Sequence, residues 1–318
     1  MNTIPTIFNA TGATYTVVGG SSRAASTGIS AILLNRGARY LRRSVFQELE
    51  KAGFDRIVSV EGPRETWDVE ELAARFPSVK FLGLKKEASI GEQINLAAAE
   101  TQSERFFVLW NDIRLAQGGG AARIAEKAAD RSALCVVPII ENGKYETLPT
   151  LKVPAFYRGT IRTIPFAPRV ENAPTLYPFD AVGLYDMERF QRLGGFDPTI
   201  RSLYWQLMDF GFRARLWGET IRCTRAVKFA YEGEIPSENA SVDEGYKVFF
   251  LKNLAPVFRG DYAHIPIRRF LPYMLRSGVG AIEAWKEFSE GRKWVATNRY
   301  RFSSDARMAI ELWEAPES

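Results

Sequence analysis

The feature that most restricts the fold of this chain is a regular alternation of apolar runs and amphipathic segments that begins near residue 29. Four short apolar runs bounded by turn residues predict buried strands; they are GISAILLN, RIVSVEG at 56–62, VKFLGL at 79–84 and RFFVLW at 105–110. The segments between them have the apolar spacing of amphipathic helices; they are 39–53, 68–76 and IGEQINLAAAET. This alternation predicts an α/β fold with a mostly parallel sheet that is covered by helices on both faces.

Polar side chains stand where three of the predicted strands end. Asn35, Glu61 and Asp112 each close or follow an apolar run. Because ligands of open α/β sheets bind at the carboxyl ends of the strands, we expect these residues to surround one crevice. Each of them alone could equally be a polar turn residue, so the pattern predicts a site only through their combination.

The remainder of the chain predicts a helix around 120–130, a strand at ALCVVPII and a long irregular segment at 141–180 that is rich in proline and aromatic residues. A segment of this length inside a compact domain is more often functional than incidental. A strand, helix and turn follow in FDAVGLYDMERFQRLGGFDP, then a helix in YWQLMDFGFRARLWGE and a strand in ETIRCTRAVKFAY.

The simplest division of the 318 residues has three parts. A leader or short strand occupies 1–28, a catalytic α/β domain occupies 29–239, and a mainly helical C-terminal extension occupies 240–318. No internal repeat or low-complexity stretch interrupts this order.

Composition favours a globular, cytoplasmic protein and excludes several functions. Hydrophobic residues make up 46% and charged residues 25% of the chain, and the net charge is a mild +5. We find no secretory signal, no apolar run of the roughly 18–20 residues that cross a bilayer, and no nucleic-acid recognition pattern. A single histidine, His264, argues against a His-rich metal cage. Cys135 and Cys223 stand in apolar contexts and predict small core residues of a reducing compartment.

The order of these motifs resembles that of family 2 glycosyltransferases. SAILLN and RIVSVEG resemble the first two strands of that family, FFVLWNDIRL the strand that ends in its DXD motif, MERFQRLGGFDP its GGFD turn, and LMDFGFRARLWGE the helix that follows. The resemblance covers roughly residues 29–230. It implies the GT-A fold, a Rossmann-like nucleotide-diphospho-sugar transferase fold with a mixed, mostly parallel sheet.

The resemblance also implies a donor site. In the family, an acidic residue after the second strand contacts the nucleoside, a glycine and an asparagine precede the next helix, and the GGFD turn lies beside the donor sugar. The residues of this chain that match those positions or lie at the same crevice are Asn35, Glu61, Asn95, Asn111, Asp112 and Gly195.

Asp112 is the predicted metal ligand, because it aligns with the last acid of DXD. A carboxylate-bound Mg²⁺ or Mn²⁺ would neutralise the diphosphate as it leaves. Asp112 could instead cap a helix or a turn. The histidine that some GT-A enzymes add to this site would fall near Tyr231 and Glu232 here, which makes His264 a poor match.

Two departures from the family concern the reaction itself. Trp110 stands where the first Asp of DXD is expected, and Gln206 and Leu207 replace the Glu-Asp pair that holds the catalytic base. Neither glutamine nor leucine accepts a proton at neutral pH.

Three explanations of the missing base are open. Asp209 or a residue from 141–180 serves as the base, the mechanism depends less on a carboxylate, or the chain has kept the fold and lost the activity. Asp209 is the predicted catalytic residue, with a structural ion pair to Arg213 at i+4 as its alternative role.

The C-terminal stretch at 264–301 mixes large apolar residues with arginine and lysine. That composition is typical of a helix on an anionic membrane, and it also suits a helix packed on the catalytic domain. Glu283, Glu287 and Glu290 interrupt the basic face and favour packing, which leaves peripheral contact with the inner membrane face as the second option.

The predicted function is transfer of a hexose from a nucleotide diphosphate sugar to a saccharide or lipid-linked acceptor, in surface polysaccharide assembly. One alternative is a non-catalytic protein of the same fold that binds a nucleotide or a glycan. The other is a sugar-nucleotide nucleotidyltransferase, which is disfavoured because NRGARYLRR is only a faint imitation of the phosphate loop of such enzymes.

Overall fold

The structure is a computed structural model that describes residues 13–21, 27–37, 42–64, 66, 68–115, 120–121, 124, 126, 132–157 and 160–314. The four predicted strands are confirmed as β2 (Ile29–Leu34), β3 (Ile57–Glu61), β4 (Val79–Leu84) and β5 (Arg105–Trp110). The helices between them are α1 (Arg42–Ala52), α2 (Val69–Arg75) and α3 (Ile90–Thr101). Most of the helix predicted around 120–130 lies outside the described residues.

The large sheet is mixed, as predicted. Its strand order is β1-β4-β3-β2-β5-β10-β7-β11-β6, and the four neighbours β4, β3, β2 and β5 are parallel. Strand β1 pairs antiparallel with β4, and β10 runs antiparallel between β5 and β7. The further strands are β1 (Tyr15–Gly19), β6 (Ile113–Leu115), β7 (Cys135–Glu141), β8 (Leu151–Tyr157), β9 (Thr160–Phe166), β10 (Gly183–Asp186), β11 (Ile221–Tyr231), β12 (Val257–Arg259) and β13 (Tyr262–His264).

The strand order creates a switch point between β2 and β5. The chain passes from β2 outward through β3 to β4, and then returns to form β5 on the other side of β2. Leu34 at the end of β2 lies opposite Trp110 at the end of β5. The segments that follow these two strands therefore diverge from one point, where open α/β sheets bind their ligands.

The apolar runs are continuous because the sheet is covered on both faces. Every residue of β2 and β3 is buried, so no solvent-facing position calls for a polar residue. Helix α1 contributes Phe46, whose ring packs 5.4 Å from that of Phe81 in β4. Cys135 and Cys223 are buried and form no disulfide, as predicted.

The segment 141–180 differs from its prediction as an irregular stretch, because it contains the antiparallel hairpin β8–β9. Pro154 and Pro165 hid these strands in the sequence. A two-stranded ribbon has only edge strands, so prolines there interrupt no central ladder. The segment ends in a tight turn at Asp180 and Ala181, both of which have left-handed backbone angles.

The chain after β10 is rich in helices, and its last part, 240–318, is the segment for which the sequence predicts a mainly helical extension. Its helices are α4 (Met187–Leu193), α5 (Leu203–Leu216), α6 (Glu244–Phe249) with a π-helical turn at Phe250–Leu254, α7 (Phe270–Ser277), α8 (Ala281–Asn298) and α9 (Ala306–Glu311). A second apolar cluster joins the end of α5 to α7 and α8 through Leu216, Leu251, Tyr273 and Phe288. In the part of the chain that the structure covers, no helix is long and apolar enough to cross a membrane.

Candidate functional site

A polar cluster fills the switch point of the sheet, and Arg36 lies at its centre. Arg36 follows β2, and its Nε and Nη2 contact Oδ2 and Oδ1 of Asp112, which follows β5, at 2.8 and 3.1 Å. Its Nη1 lies 2.8 Å from Oδ2 of Asp180. One guanidinium therefore bridges two carboxylates that are 68 residues apart in sequence. We refer to Arg36, Trp110, Asp112, Asp180 and Tyr231 as the Arg36 cluster.

Two aromatic rings enclose the guanidinium. The Cζ atom of Arg36 lies 4.2 Å from the ring centroid of Trp110 and 5.6 Å from that of Tyr231, within the range of cation–π attraction. Trp110 Nε1 donates to the carbonyl of Asp180 at 2.9 Å, and the Tyr231 hydroxyl donates to Asp180 Oδ2 at 2.8 Å. Both rings are thus tied to Asp180, Trp110 through the backbone carbonyl and Tyr231 through the carboxylate that Arg36 binds.

Asp180 combines a constrained backbone with an unusual environment. Its φ of 54° lies in the left-handed region, which costs energy for a residue with a side chain. Burial raises the pKa of its carboxyl to about 6, although the Arg36 guanidinium and the Tyr231 hydroxyl act in the opposite direction. Asp180 also borders a cavity of about 150 Å³, which we call the Leu207 cavity. Its lining includes Phe179, Leu203, Tyr204, Leu207 and Glu238.

Comparison with solved structures identifies the architecture. A crystal structure of GalNAc-T7 with UDP, GalNAc and Mn²⁺ superposes with a TM-score of 0.55 at 16% sequence identity and covers 85% of this chain. The chain has the GT-A fold. It spans 57% of the GalNAc-T7 chain, a little more than half of that protein. A crystal structure of S. aureus TarS 1–349 in complex with UDP-GlcNAc matches with a TM-score of 0.48 at 13% identity, over 83% of this chain and 71% of that one.

Comparisons at the level of sequence are negative. No family model matches the chain. No curated protein matches it either. The GT-A assignment therefore depends on the fold, and the function of the site has to be argued from its residues.

The residues predicted at the carboxyl ends of the strands do lie together at the GT-A switch point. Asn35 Nδ2 donates to the Val60 carbonyl at 2.7 Å and lies 3.4 Å from Glu61 Oε1. Asn111 is buried, and its Oδ1 accepts from the backbone N–H of Arg36 at 3.1 Å. Asn35 and Asn111 thus shape the loop after β2, next to the Arg36–Asp112 pair.

Glu61 is predicted to contact a nucleoside, and the structure turns it toward the interior. Its side chain is fully buried, and its Oε1 lies 2.7 Å from Nη2 of Arg42 in α1 and 2.7 Å from the Ser59 hydroxyl. Asn35 Oδ1, at the same end of the site, is a buried acceptor without a hydrogen-bond partner among the described residues.

Asn95 and Gly195 are predicted donor contacts that the structure corrects to a structural pair. Asn95 is fully buried, donates to the Phe196 carbonyl at 2.8 Å and accepts from the Phe196 N–H at 2.9 Å. Gly195 has a φ of +65°, and a Cβ there would lie 2.4 Å from Asn95 Oδ1. Both residues take part in holding the GGFD turn against α3.

The two residues that align with the family's Glu-Asp pair have separate surroundings. Gln206 is an interior bridge: its Oε1 accepts from the Gly91 N–H at 2.9 Å, and its Nε2 donates to the Ser89 hydroxyl at 2.8 Å. Leu207 borders the cavity beside Asp180. The position at which the family presents a base is therefore apolar, with a different carboxylate next to it.

Asp209 is the predicted catalytic base, and its placement corrects that prediction. It is fully buried in α5, with Oδ2 at 2.6 Å from Arg213 Nη2 and Oδ1 accepting from Asn253 Nδ2 at 2.8 Å. A general base has to reach the hydroxyl that it deprotonates. Both oxygens of Asp209 are engaged inside the protein, which is the structural role that the i+4 spacing to Arg213 allowed.

The residues at the predicted metal site do not fit a divalent cation. Both oxygens of Asp112 are bound by Arg36, and no group of three His, Cys, Asp or Glu side chains within the described ranges could hold a metal ion. Tyr231 occupies the place where the sequence comparison expects a histidine. His264 is in the small hairpin β12–β13, with its ring beside Tyr262.

Arg36, Asp180 and Tyr231 are the members of the cluster to which the sequence assigns no definite role. Arg36 belongs to the NRG segment directly after a predicted strand, and Asp180 closes the proline-rich segment in which a base is sought. The sequence signals that point to Arg36 and Asp180 are their positions next to these segments and their charged side chains. Their contact with Asp112 depends on the folding of segments far apart in the chain.

We expect Asp209→Ala to destabilise the protein by about 3–5 kcal/mol, because it leaves the buried guanidinium of Arg213 without its counter-charge. Chemical denaturation measures this loss. Glu311→Ala is the matched control, since it breaks an i,i+4 pair with Arg307 that is exposed to solvent and should change stability little. Equal stability of wild type and Asp209→Ala would contradict the structural role.

Proposed function

We propose that this chain is a glycosyltransferase that takes a sugar from a nucleotide diphosphate sugar. The observation that carries the proposal is the Arg36 cluster at the switch point of a GT-A sheet. It combines acidic, basic and aromatic side chains in the place where this architecture binds ligands. The transferred sugar would be a hexose, and the resemblance of the motif order to family 2 glycosyltransferases supports that family.

The residues around the switch point suit the two ends of such a donor. Asn35 offers an amide oxygen to the hydroxyl or N–H groups of a nucleoside, and Glu61 lies behind it. Arg36 offers a guanidinium to the phosphates, with Asn111 fixing its backbone. Asp112 positions the guanidinium through two hydrogen bonds.

A divalent cation has no place in this proposal as the residues stand. GalNAc-T7 was crystallised with Mn²⁺ and UDP, and the sequence predicts Mg²⁺ or Mn²⁺ at Asp112. The carboxylate of Asp112 is bound by Arg36, so the proposed reaction does not use a metal ion.

Asp180 is the base that we propose in place of Asp209. Asp180 is one of the residues that line the Leu207 cavity, together with Leu207, which aligns with the family's base. An acceptor hydroxyl in that cavity would give its proton to Asp180 as its oxygen attacks the anomeric carbon of the sugar. The bond between that carbon and the diphosphate oxygen breaks in the same step, and the nucleoside diphosphate leaves. A raised pKa of about 6 leaves the carboxylate mostly ionised at neutral pH and makes it a stronger base than an exposed aspartate.

The surface of α7 supports a lipid-linked acceptor at a membrane. Ile267, Leu271 and Leu275 are spaced four residues apart and are 59%, 58% and 75% exposed. Arg268 and Arg276 are exposed next to them. Apolar side chains flanked by arginines are typical of helices that lie on anionic membranes. A saccharide carried on a lipid, as in surface polysaccharide assembly, is the acceptor class that fits this surface.

The acidic residues that favour packing belong to a different helix. Helix α8 buries Ala284, Phe288 and Val295 in the second apolar cluster, and it carries Glu283, Glu287 and Glu290. Packing and membrane contact are thus divided between α8 and α7.

A non-catalytic protein that binds a nucleotide or a glycan is the second candidate. The observation that favours it is the replacement of expected functional groups by Trp110 and Leu207, which can neither bind a metal nor accept a proton. Binding without turnover separates this candidate from the enzyme.

We expect one of UDP-, GDP- or dTDP-sugars to raise the melting temperature of the protein and to be slowly hydrolysed. A ligand at 100 times its Kd stabilises the folded state by about 2.7 kcal/mol. Asp112→Asn should weaken this stabilisation, because it loosens Arg36, whereas Glu71→Gln in an exposed ion pair with Arg43 should not. Stabilisation without sugar release would favour the binding protein. No stabilisation by any nucleotide sugar would contradict the enzyme and the nucleotide-binding protein, and would leave only a glycan-binding protein.

We expect kcat/KM of the wild-type enzyme to rise with pH through about 6, because the base acts only when its carboxyl has lost its proton. Asp180→Asn should remove this dependence and lower the rate by about 10²–10⁴-fold. Folding should not suffer. The pKa of the Asp180 carboxyl is raised in the folded protein, so folding disfavours its charged form. The free energy of unfolding therefore falls as the pH rises through about 6 and this carboxyl loses its proton. An uncharged amide at this position avoids that loss.

The matched control for Asp180 is Glu238→Gln, which changes a second acid at the same cavity. This variant should keep the pH dependence of the wild type. If Glu238→Gln removes it and Asp180→Asn does not, Asp180 is not the base.

We expect the protein to sediment with anionic lipid vesicles and the double variant Leu271→Ser/Leu275→Ser to bind them at least about tenfold more weakly, since burying one leucine contributes about 1.5–3 kcal/mol. Leu312→Ser is the control, because Leu312 is equally exposed at 67% but lies outside α7. Unchanged vesicle binding by the double variant would contradict the membrane role of α7.

A further inference from the structure

We propose that the guanidinium of Arg36 replaces a divalent cation in this site and that a nucleoside diphosphate binds to it without any metal. The replacement of a cation by Arg36 concerns the site alone, and the binding of a nucleoside diphosphate rests on the proposed function.

The contacts of Arg36 are those of a bridging cation. Three of its five N–H groups are directed to carboxylate oxygens, two to Asp112 and one to Asp180, at 2.8–3.1 Å. The two carboxylates are 14% and 3% exposed, whereas the arginine side chain is 26% exposed. The cation thus holds two shielded anions together and keeps part of its own surface open to a ligand.

The walls of the site select a guanidinium and disfavour a metal ion. Trp110 and Tyr231 present aromatic faces to Arg36, and such faces attract an organic cation by cation–π interaction. Mg²⁺ and Mn²⁺ require several oxygen ligands, which an indole ring does not supply. Both rings also donate hydrogen bonds to Asp180, so they support the arrangement that Arg36 needs.

The carboxylates explain why the positive charge is built into the chain. Two carboxylates that are close together and largely shielded from water are costly unless a cation compensates them. A bound metal would meet that need only at sufficient metal concentration. An arginine is protonated at every physiological pH and is present at every metal concentration.

The planar guanidinium also suits the ligand that we propose. Its remaining N–H groups match the spacing of phosphate oxygens, and charge-assisted hydrogen bonds of this kind are among the strongest in proteins. A nucleoside diphosphate that approaches Asp112 and Asp180 therefore meets the guanidinium that lies between them.

The test is isothermal titration calorimetry with MnCl₂ alone, and with UDP and GDP in buffers that contain either EDTA or Mn²⁺. The proteins are the wild type, Arg36→Ala and the control Arg43→Ala, which removes an exposed arginine paired with Glu71. Circular dichroism verifies that each variant is folded.

We expect no stoichiometric Mn²⁺ binding to the wild type or to Arg43→Ala, and nucleotide binding with the same Kd in EDTA as in Mn²⁺. Arg36→Ala should bind the nucleotide at least about tenfold more weakly in EDTA, the loss expected for a charged hydrogen-bond donor. It should also gain Mn²⁺ binding, because the two carboxylates are then free to share an ion. If Arg36→Ala does not fold, Arg36→Lys serves instead, since a lysine keeps the charge but lacks the fork that spans both carboxylates.

Stoichiometric Mn²⁺ binding to the wild type that is lost in Asp112→Asn would overturn the inference, as would nucleotide binding that requires Mn²⁺. Failure of the proposed function gives a different result. If neither UDP nor GDP binds the wild type in either buffer, no nucleotide site exists, and the Mn²⁺ titrations of wild type and Arg36→Ala still decide whether Arg36 occupies the place of a cation.

Discussion

The ion pairs of Arg36 are the interaction on which the arrangement of the site depends. They join the loop after β2 to the loop after β5, to the turn at Asp180 and, through that turn, to the end of β11 at Tyr231. The first two segments belong to the parallel half of the sheet, and the last two belong to the mixed half. The ion pairs therefore connect the loops of the two halves at the switch point, in addition to the pairing of β5 with β10 inside the sheet.

The residues that depart from the family pattern form one consistent group when they are considered together with Arg36. Trp110 stands where the resemblance places the first Asp of DXD, Tyr231 lies near the position at which it places a histidine, and both rings enclose the guanidinium. Leu207 occupies the position of the base, and Asp180 lies across the same cavity. A site that holds an arginine in place of a metal ion does not require oxygen ligands for a metal. It requires aromatic surface around the guanidinium and a second carboxylate to pair with it.

The fold could be predicted from the sequence because apolar runs and helical spacing are local signals, and the strands from Ile29 to Trp110 were found within about one residue of their ends. Asp112 could be placed at the crevice for the same reason. Arg36 could not, since an arginine after a strand is usually solvated and its partners come from distant segments. Asp209 and Asn95 were assigned to the site from motif position, but hydrogen bonds to Arg213 and Phe196 engage them in the interior. Hydrogen bonds of this kind inside the protein produce no recognisable pattern in the neighbouring sequence.

The same arginine links donor binding to the strength of the proposed base. Arg36 opposes the rise in the pKa of Asp180 that burial causes. In the proposed reaction, phosphate oxygens compete with Asp180 for that guanidinium and bring negative charge of their own. Both effects favour the protonated form of Asp180, so its pKa rises and its carboxylate becomes a stronger base when the donor is present. The base would then be strongest in the complex in which an acceptor can react, and weaker in the free protein, where no sugar is available to transfer.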